Sequence, residues 1–159
     1  MKLYFLRHGE AEDMSAGISD HDRKLTTKGI ERVQTAAKVM SRLHIKPTHI
    51  YASPRVRALH TAEIVAKTLG KKVEVNDSVN FGFNLSAVET LIAALAVDDE
   101  VMFVGHEPTM SKVVGELTGA NIVMKKGGLA RVDAVIPTSP LRGQLIWLIP
   151  PKIFDALDD

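Results

Sequence analysis

The sequence predicts an α/β fold: a three-layer α/β/α sandwich with a mainly parallel sheet and one antiparallel edge pair. Two observations carry this. Short apolar runs that read as buried strands alternate with stretches of helical period through most of the chain. The last two β-rich segments, 130–136 and 144–149, are joined by a connection at 138–143. It is too short for a helical crossover, so the pair is antiparallel.

Residues 2–6 are one such apolar run and form the first strand, followed at once by Arg7-His8-Gly9. The polar stretch 10–24 lacks periodicity and reads as a loop of a length often used for lids or binding. Thr26 or Thr27 caps the next helix, whose apolar stripe is Ile30, Val33, Ala37, Met40 and Leu43. A strand at 49–52 follows. Ser53-Pro54 then reads as a helix start, with Ser as N-cap and Pro at the first helical position. Leu59, Ala62, Ala66 and Leu69 give this helix its stripe, and Gly70 stops it. Residues 73–75 form a weak strand and 76–84 a polar loop. Residues 86–96 form a helix and 101–104 a strongly apolar strand. Gly105-His106-Glu107 makes the turn after that strand, and Pro108 opens a helix ending near Gly119. The charged tail after Pro151 reads as peripheral.

Residues 1–159 are read as one domain, without a cap. Apolar residues make up 45% and charged residues 25% of the chain, which excludes whole-chain disorder. Twenty basic and 19 acidic residues leave a net charge of +1, so no long-range field favours nucleic acid or an anionic membrane. Cysteine is absent, which excludes disulfides, thiolate metal sites and cysteine nucleophiles. The amino-terminal apolar run is too short for a signal peptide, and no run is long enough to span a membrane. The expectation is a cytoplasmic protein.

Arg7-His8-Gly9, Ser53-Pro54-Arg55-Val56-Arg57 and Gly105-His106 each follow a strand. Ligands of open α/β sheets bind at the carboxyl ends of strands, so the three segments converge if their strands are parallel neighbours. They would bring together arginine forks, two histidines and a helix N-terminus, a local anion site best suited to phosphate.

These residues carry a resemblance. Leu6-Arg7-His8-Gly9-Glu10 resembles the signature of the histidine phosphatase superfamily, which includes phosphoglycerate mutases. Leu25-Thr26-Thr27-Lys28-Gly29 is similar to that family's approach to its first helix. Ser53 to Ala58, with Thr61 one turn on, is similar to its second arginine motif, and Val104 to Pro108 to its second histidine motif. The short chain and the Arg23-Lys-Leu-Thr26 context most resemble the SixA-type phosphohistidine phosphatases. The resemblance implies a phosphoglycerate mutase-like fold and a metal- and cofactor-independent phosphatase.

His8 is the expected nucleophile, attacking phosphorus as a neutral imidazole while its other ring nitrogen donates to a carbonyl. By resemblance that carbonyl is Gly9's. Arg7 and Arg57 are expected to hold the phosphoryl oxygens. Arg55 competes with Arg57, but reads better as a rim residue or a solvated first-turn side chain. His106 is expected to bind the phosphoryl group, against the alternative that it caps the Pro108 helix. Arg23 either reaches the site or is solvated. His21, His44, His49 and His60 read as structural or surface groups.

The general acid is the gap. The superfamily's carboxylate usually comes from the segment after the third strand, and 76–84 holds only Asp77. Glu10 and Glu89 are the other candidates. An alcohol leaving group needs an acid, whereas a protonated phosphohistidine releases neutral imidazole without one. The leading expectation is therefore hydrolysis of phosphohistidine on a protein such as a phosphotransfer domain, at an open, shallow site. The alternatives are a small-molecule phosphomonoesterase and a non-catalytic phosphate- or phosphoprotein-binding module. Lys125-Lys126-Gly127-Gly128 either lines the rim or forms a solvated turn. Oligomeric state is not readable from the sequence.

Overall fold

The computed structural model describes residues 1–158. Its six strands are β1 (Lys2–Arg7), β2 (His49–Ala52), β3 (Val73–Val75), β4 (Glu100–Gly105), β5 (Leu129–Val135) and β6 (Arg142–Ile149). They form one sheet in the order β3-β2-β4-β1-β5-β6. The first four strands are parallel; β5 runs antiparallel to both β1 and β6. The antiparallel pairing thus extends one strand further inward than the edge pair alone.

Five helices cover the sheet: α1 (Thr27–Arg42), α2 (Val56–Leu69), α3 (Leu85–Ile92), α4 (Thr109–Thr118) and α5 (Pro151–Leu157). Successive side chains of a strand point to opposite faces. On β1, Leu3 and Phe5 pack with Val88 of α3 and with Met110 and Val114 of α4. Tyr4 and Leu6 pack on the other face with Val33 and Met40 of α1 and Val65 of α2. This double burial explains the unbroken apolar runs, and each fully buried large apolar side chain contributes about 1.5–3 kcal/mol.

Three local expectations need correction. Helix α2 starts at Val56 with Arg55 as its N-cap and no side-chain cap, so Ser53 does not cap it and Pro54 lies before it. The tail is not peripheral. Pro150 and Pro151 turn the chain into α5, which places Phe154 in the core beneath α1, at 1% exposure. Arg32 of α1 pairs with Asp155 at 2.6 Å. With Ile153, Phe154 and Leu157 as its large apolar residues, the tail is too short to show a helical period, so the sequence pattern misses it. Helix α3 also stops at Ile92, short of residue 96. No helix among the described residues is long and apolar enough to cross a membrane.

Truncation of Phe154 tests the role of α5. Phe154→Ala is expected to cost about 3–5 kcal/mol in urea unfolding, the range for a buried aromatic. A loss below about 1 kcal/mol would show that α5 is dispensable.

Candidate active site

The neighbours β2, β4 and β1 run parallel, so their carboxyl ends deliver Ser53, His106 and Arg7-His8 to one place. Backbone bonds hold the end of β1 on both sides. His8 N–H donates to the Gly105 carbonyl at 3.0 Å, and Gly127 N–H bonds the Arg7 and His8 carbonyls at 3.1 and 2.9 Å. The 125–128 turn is therefore a structural clamp, with Gly127 at φ +80°.

Glycine makes two close approaches possible. A Cβ on Gly9 would lie 2.7 Å from Val33, and one on Gly29 would lie 2.2 Å from the Glu10 carbonyl oxygen. The start of α1 thereby packs directly against the chain leaving the first histidine motif. Thr61 supports it from α2. Its hydroxyl accepts the Gly9 N–H at 3.1 Å and donates to the Arg57 carbonyl at 2.8 Å.

His8 is 6% exposed. Its Nδ1 donates to the Gly9 carbonyl at 2.7 Å, the bond the resemblance implied. Nε2 is then the unprotonated nitrogen, and it accepts from Arg57 Nε at 3.4 Å. Burial, reinforced by Arg57, Arg7 and Lys126, lowers the His8 pKa to about 4. The His106 ring lies 5.3 Å away, centroid to centroid, at 1% residue exposure. Burial, with the charges around it, takes its pKa to about 3.

A short relay orients His106. Arg55 N–H donates to Ser53 Oγ at 3.3 Å, and Ser53 Oγ lies 2.8 Å from His106 Nε2. With the hydroxyl proton directed to Nε2, the imidazole proton resides on Nδ1. In that tautomer His106 Nδ1, like Arg7 Nε, is a buried N–H group with no hydrogen-bond partner among the described residues. Buried donors of this kind call for an acceptor, and a phosphoryl oxygen supplies one. Only the His106 backbone carbonyl, not its ring, engages the start of α4.

The structure separates the arginines by depth. Arg57 is inside, at 4% exposure. Arg55 is half-buried; its Nε donates to Asn80 at 2.8 Å, and its guanidinium stacks 3.8 Å from the Phe81 ring centroid. The reading of Arg55 as a solvated side chain is thus replaced. Arg7 Nη1 donates to the Met124 carbonyl at 2.9 Å. Arg23 is also not solvated: Nε donates to the Glu12 carbonyl at 2.7 Å, and Nη1 meets Asp20 at 2.9 Å.

Asp20 was not among the expected site residues. It sits in a 3-10 turn, Asp20–Asp22, that leans over the cluster and bonds Arg55 and Arg57. The site is therefore overhung rather than simply open. A groove of about 790 Å³ lies beside it, lined by Arg7, Gly9, Glu10, Lys125, Lys126 and Lys152 among others.

None of the three candidate acids contacts His8 or His106. Asp77 is exposed. Glu10 accepts from Thr26 Oγ1 at 3.2 Å. Glu89 accepts from Leu141 N–H at 3.3 Å, at the opposite end of the sheet. From the 76–84 segment it is Phe81 that meets His106, edge-on at 4.8 Å. His21 pairs with exposed Asp22 and His49 with Thr48, so neither joins the cluster.

The two depressed histidines make stability pH-dependent. In the unfolded chain both titrate at about 6.5. Below that pH the unfolded state binds more protons than the folded state, so stability is fully present above about pH 6.5 and falls towards pH 4. Urea midpoints are expected to drop across this window, with a flatter slope in the His8→Asn/His106→Asn double variant. An unchanged slope would place the acid sensitivity elsewhere.

Comparison with known proteins places the family and the fold. Residues 3–80 match the family model of the histidine phosphatase superfamily, branch 1. An uncharacterised protein of Picosynechococcus is 33% identical over 172 residues, covering 94% of this chain and all of the relative. Among solved structures, the protein histidine phosphatase SixA complexed with tungstate superposes with a TM-score of 0.83. It is 24% identical, over 96% of this chain and 99% of that one. A protein of Agrobacterium tumefaciens proposed to be a phosphohistidine phosphatase SixA gives 0.80 and 24% identity. It covers 94% of this chain and 98% of that one. A mycobacterial glucosyl-3-phosphoglycerate phosphatase gives 0.72 and 16%, over 94% and 99%. The chain belongs to the histidine phosphatase superfamily, and its fold is that of the SixA structures.

Proposed function

We propose that this phosphatase hydrolyses phosphohistidine borne by another protein, in a cytoplasmic setting, through a covalent intermediate on His8. One observation carries the reading. His8 is held neutral by burial, with Nδ1 bonded to Gly9 and the Nε2 lone pair turned towards Arg57.

In the first step His8 Nε2 attacks phosphorus as the bond from phosphorus to the substrate's imidazole nitrogen breaks. Arg57, Arg7 and the His106 Nδ1 proton stabilise the charge on the equatorial oxygens. The substrate imidazole, already protonated on its far ring nitrogen, takes the bonding pair and leaves neutral. In the second step water attacks phosphorus and the bond to Nε2 breaks. One water proton remains on the new P–OH, the other passes to a phosphate oxygen, and His8 recovers its lone pair. The scheme needs no metal or cofactor.

The substrate class rests on the leaving group. Asp77, Glu10 and Glu89 are engaged or turned elsewhere, and Phe81 occupies the side of His106 that faces the 76–84 segment. A site without a free acid favours a leaving group that departs unprotonated. The SixA proteins that share this fold, described as protein histidine and phosphohistidine phosphatases, support this class. A second reading, a small-molecule phosphomonoesterase, draws support from the groove beside Arg7, where Glu10 faces the lysines of the 125–127 turn. A mycobacterial sugar-phosphate phosphatase shares the fold.

Phosphate release at neutral pH, with chelator present, separates the readings. A phosphohistidine protein is expected to turn over at least about 10²-fold faster than an alkyl phosphate, which lacks acid assistance here. His8→Ala is expected to abolish release, and Arg57→Ala to lower it by about 10²–10³-fold. Comparable alkyl turnover would sink the phosphohistidine reading in favour of the monoesterase. Phosphate binding without any turnover would indicate a binding module.

A further inference from the structure

The cluster contains an internal anion. Asp20 Oδ2 meets Arg55 Nη1 at 2.7 Å and Arg57 Nη2 at 3.2 Å, while Oδ1 meets Arg23 Nη1 at 2.9 Å. The Asp20 backbone carbonyl takes Arg57 Nη1 at 2.8 Å. Of the three Arg57 nitrogens, only Nε is directed at the nucleophile. The rest of the fork, the part that would grip a phosphoryl group bidentately, is bonded to Asp20.

Burial, the largest single effect on the Asp20 carboxyl, raises its pKa. Hydrogen bonds from Arg23 and Arg57 and the charges of Arg57 and Arg55 together outweigh it and hold the group below its ordinary value. At neutral pH Asp20 is therefore a carboxylate, and it cannot act as the missing general acid. A fixed negative charge on the same arginines as an arriving dianion repels that dianion and uses part of their hydrogen-bonding capacity. The attachment is local: Asp20 hangs on a turn capped by Ser19, within the loop that Arg23 ties to Glu12.

We propose that Asp20 is a positioning residue that competes with the phosphoryl group for Arg55 and Arg57, weakening anion binding and speeding release of phosphate. It rests on the reading of this cluster as a phosphoryl site, but not on which phosphoryl compound is hydrolysed. A product-release device fits the chemistry. Three arginines, two neutral imidazoles and free N–H donors would otherwise retain inorganic phosphate tightly, and slow release limits turnover.

The experiment measures inorganic phosphate binding by calorimetry, and phosphate inhibition of aryl phosphate hydrolysis, in wild type, Asp20→Asn and Asp20→Glu. Asp20→Asn keeps the size and one acceptor oxygen but removes the charge. It is expected to bind phosphate at least about tenfold more tightly, with lower kcat and lower KM together. Asp20→Glu, which keeps the charge, is expected to stay within about threefold of wild type. Thermal unfolding of each variant confirms folding. Unchanged or weaker phosphate binding in Asp20→Asn, with wild-type binding intact, would overturn this proposal alone and make Asp20 a buttress for Arg57. No phosphate binding in any of the three proteins would overturn the phosphoryl site itself, and this proposal with it.

Discussion

The bond from His8 Nδ1 to the Gly9 carbonyl, at 2.7 Å, is the constraint on which the site depends. It directs the proton to Nδ1 and leaves Nε2 with a free lone pair. It also requires that the chain turn sharply at the end of β1, where a side chain on Gly9 would strike Val33 of α1. Helix α1 can lie there only because Gly29 lets it rest on the Glu10 carbonyl. Helix α2 contributes Thr61, which ties the Gly9 N–H to the Arg57 carbonyl. The tautomer of His8 and the position of the inner arginine are thus coupled through one threonine hydroxyl.

The electrostatics follow from burial rather than from charge alone. Arg57 and Arg7 depress the His8 pKa, but loss of water is the larger effect. Depth also distinguishes the two arginines of the second motif: Arg57 is inside against His8, and Arg55 is outside on Phe81. The cationic cluster is tolerated because Asp20 lies among three of its guanidinium groups. A chain of net charge +1 builds a strong local field in this way without a global one.

Much of this is legible in the sequence because it is local. The order of strands and helices follows from apolar runs and their period. The positions of Arg7, His8, Arg57 and His106 follow because each ends a strand, sits just beyond one or opens a helix, and topology gathers strand ends. What escapes is long-range. Asp20 lies in a stretch without periodicity, and its partners Arg55 and Arg57 are 35 and 37 residues away. A 15-residue loop that ends in Asp20-His-Asp-Arg23 and faces two arginine motifs is a signal for it only in hindsight. Ser53 before Pro54 has the pattern of a helix cap. Its hydroxyl instead serves His106, because β4 brings that ring within 2.8 Å. Phe154 resembles a stray apolar residue until α5 closes over α1.

The absence of a free acid gains force from where the carboxylates are. A carboxylate that protonates a leaving group must lie beside the scissile bond and carry a proton at working pH. Asp20 is the carboxylate held on the arginines of the cluster, and it fails the second condition, because those arginines keep it ionised. Asp77 is exposed, and neither Glu10 nor Glu89 touches the histidines, so none of the three meets the first in this conformation. The features that strengthen phosphoryl binding therefore remove the nearest carboxylate from acid catalysis. That arrangement supports the proposed substrate class, a phosphoryl group whose leaving atom departs neutral without an added proton.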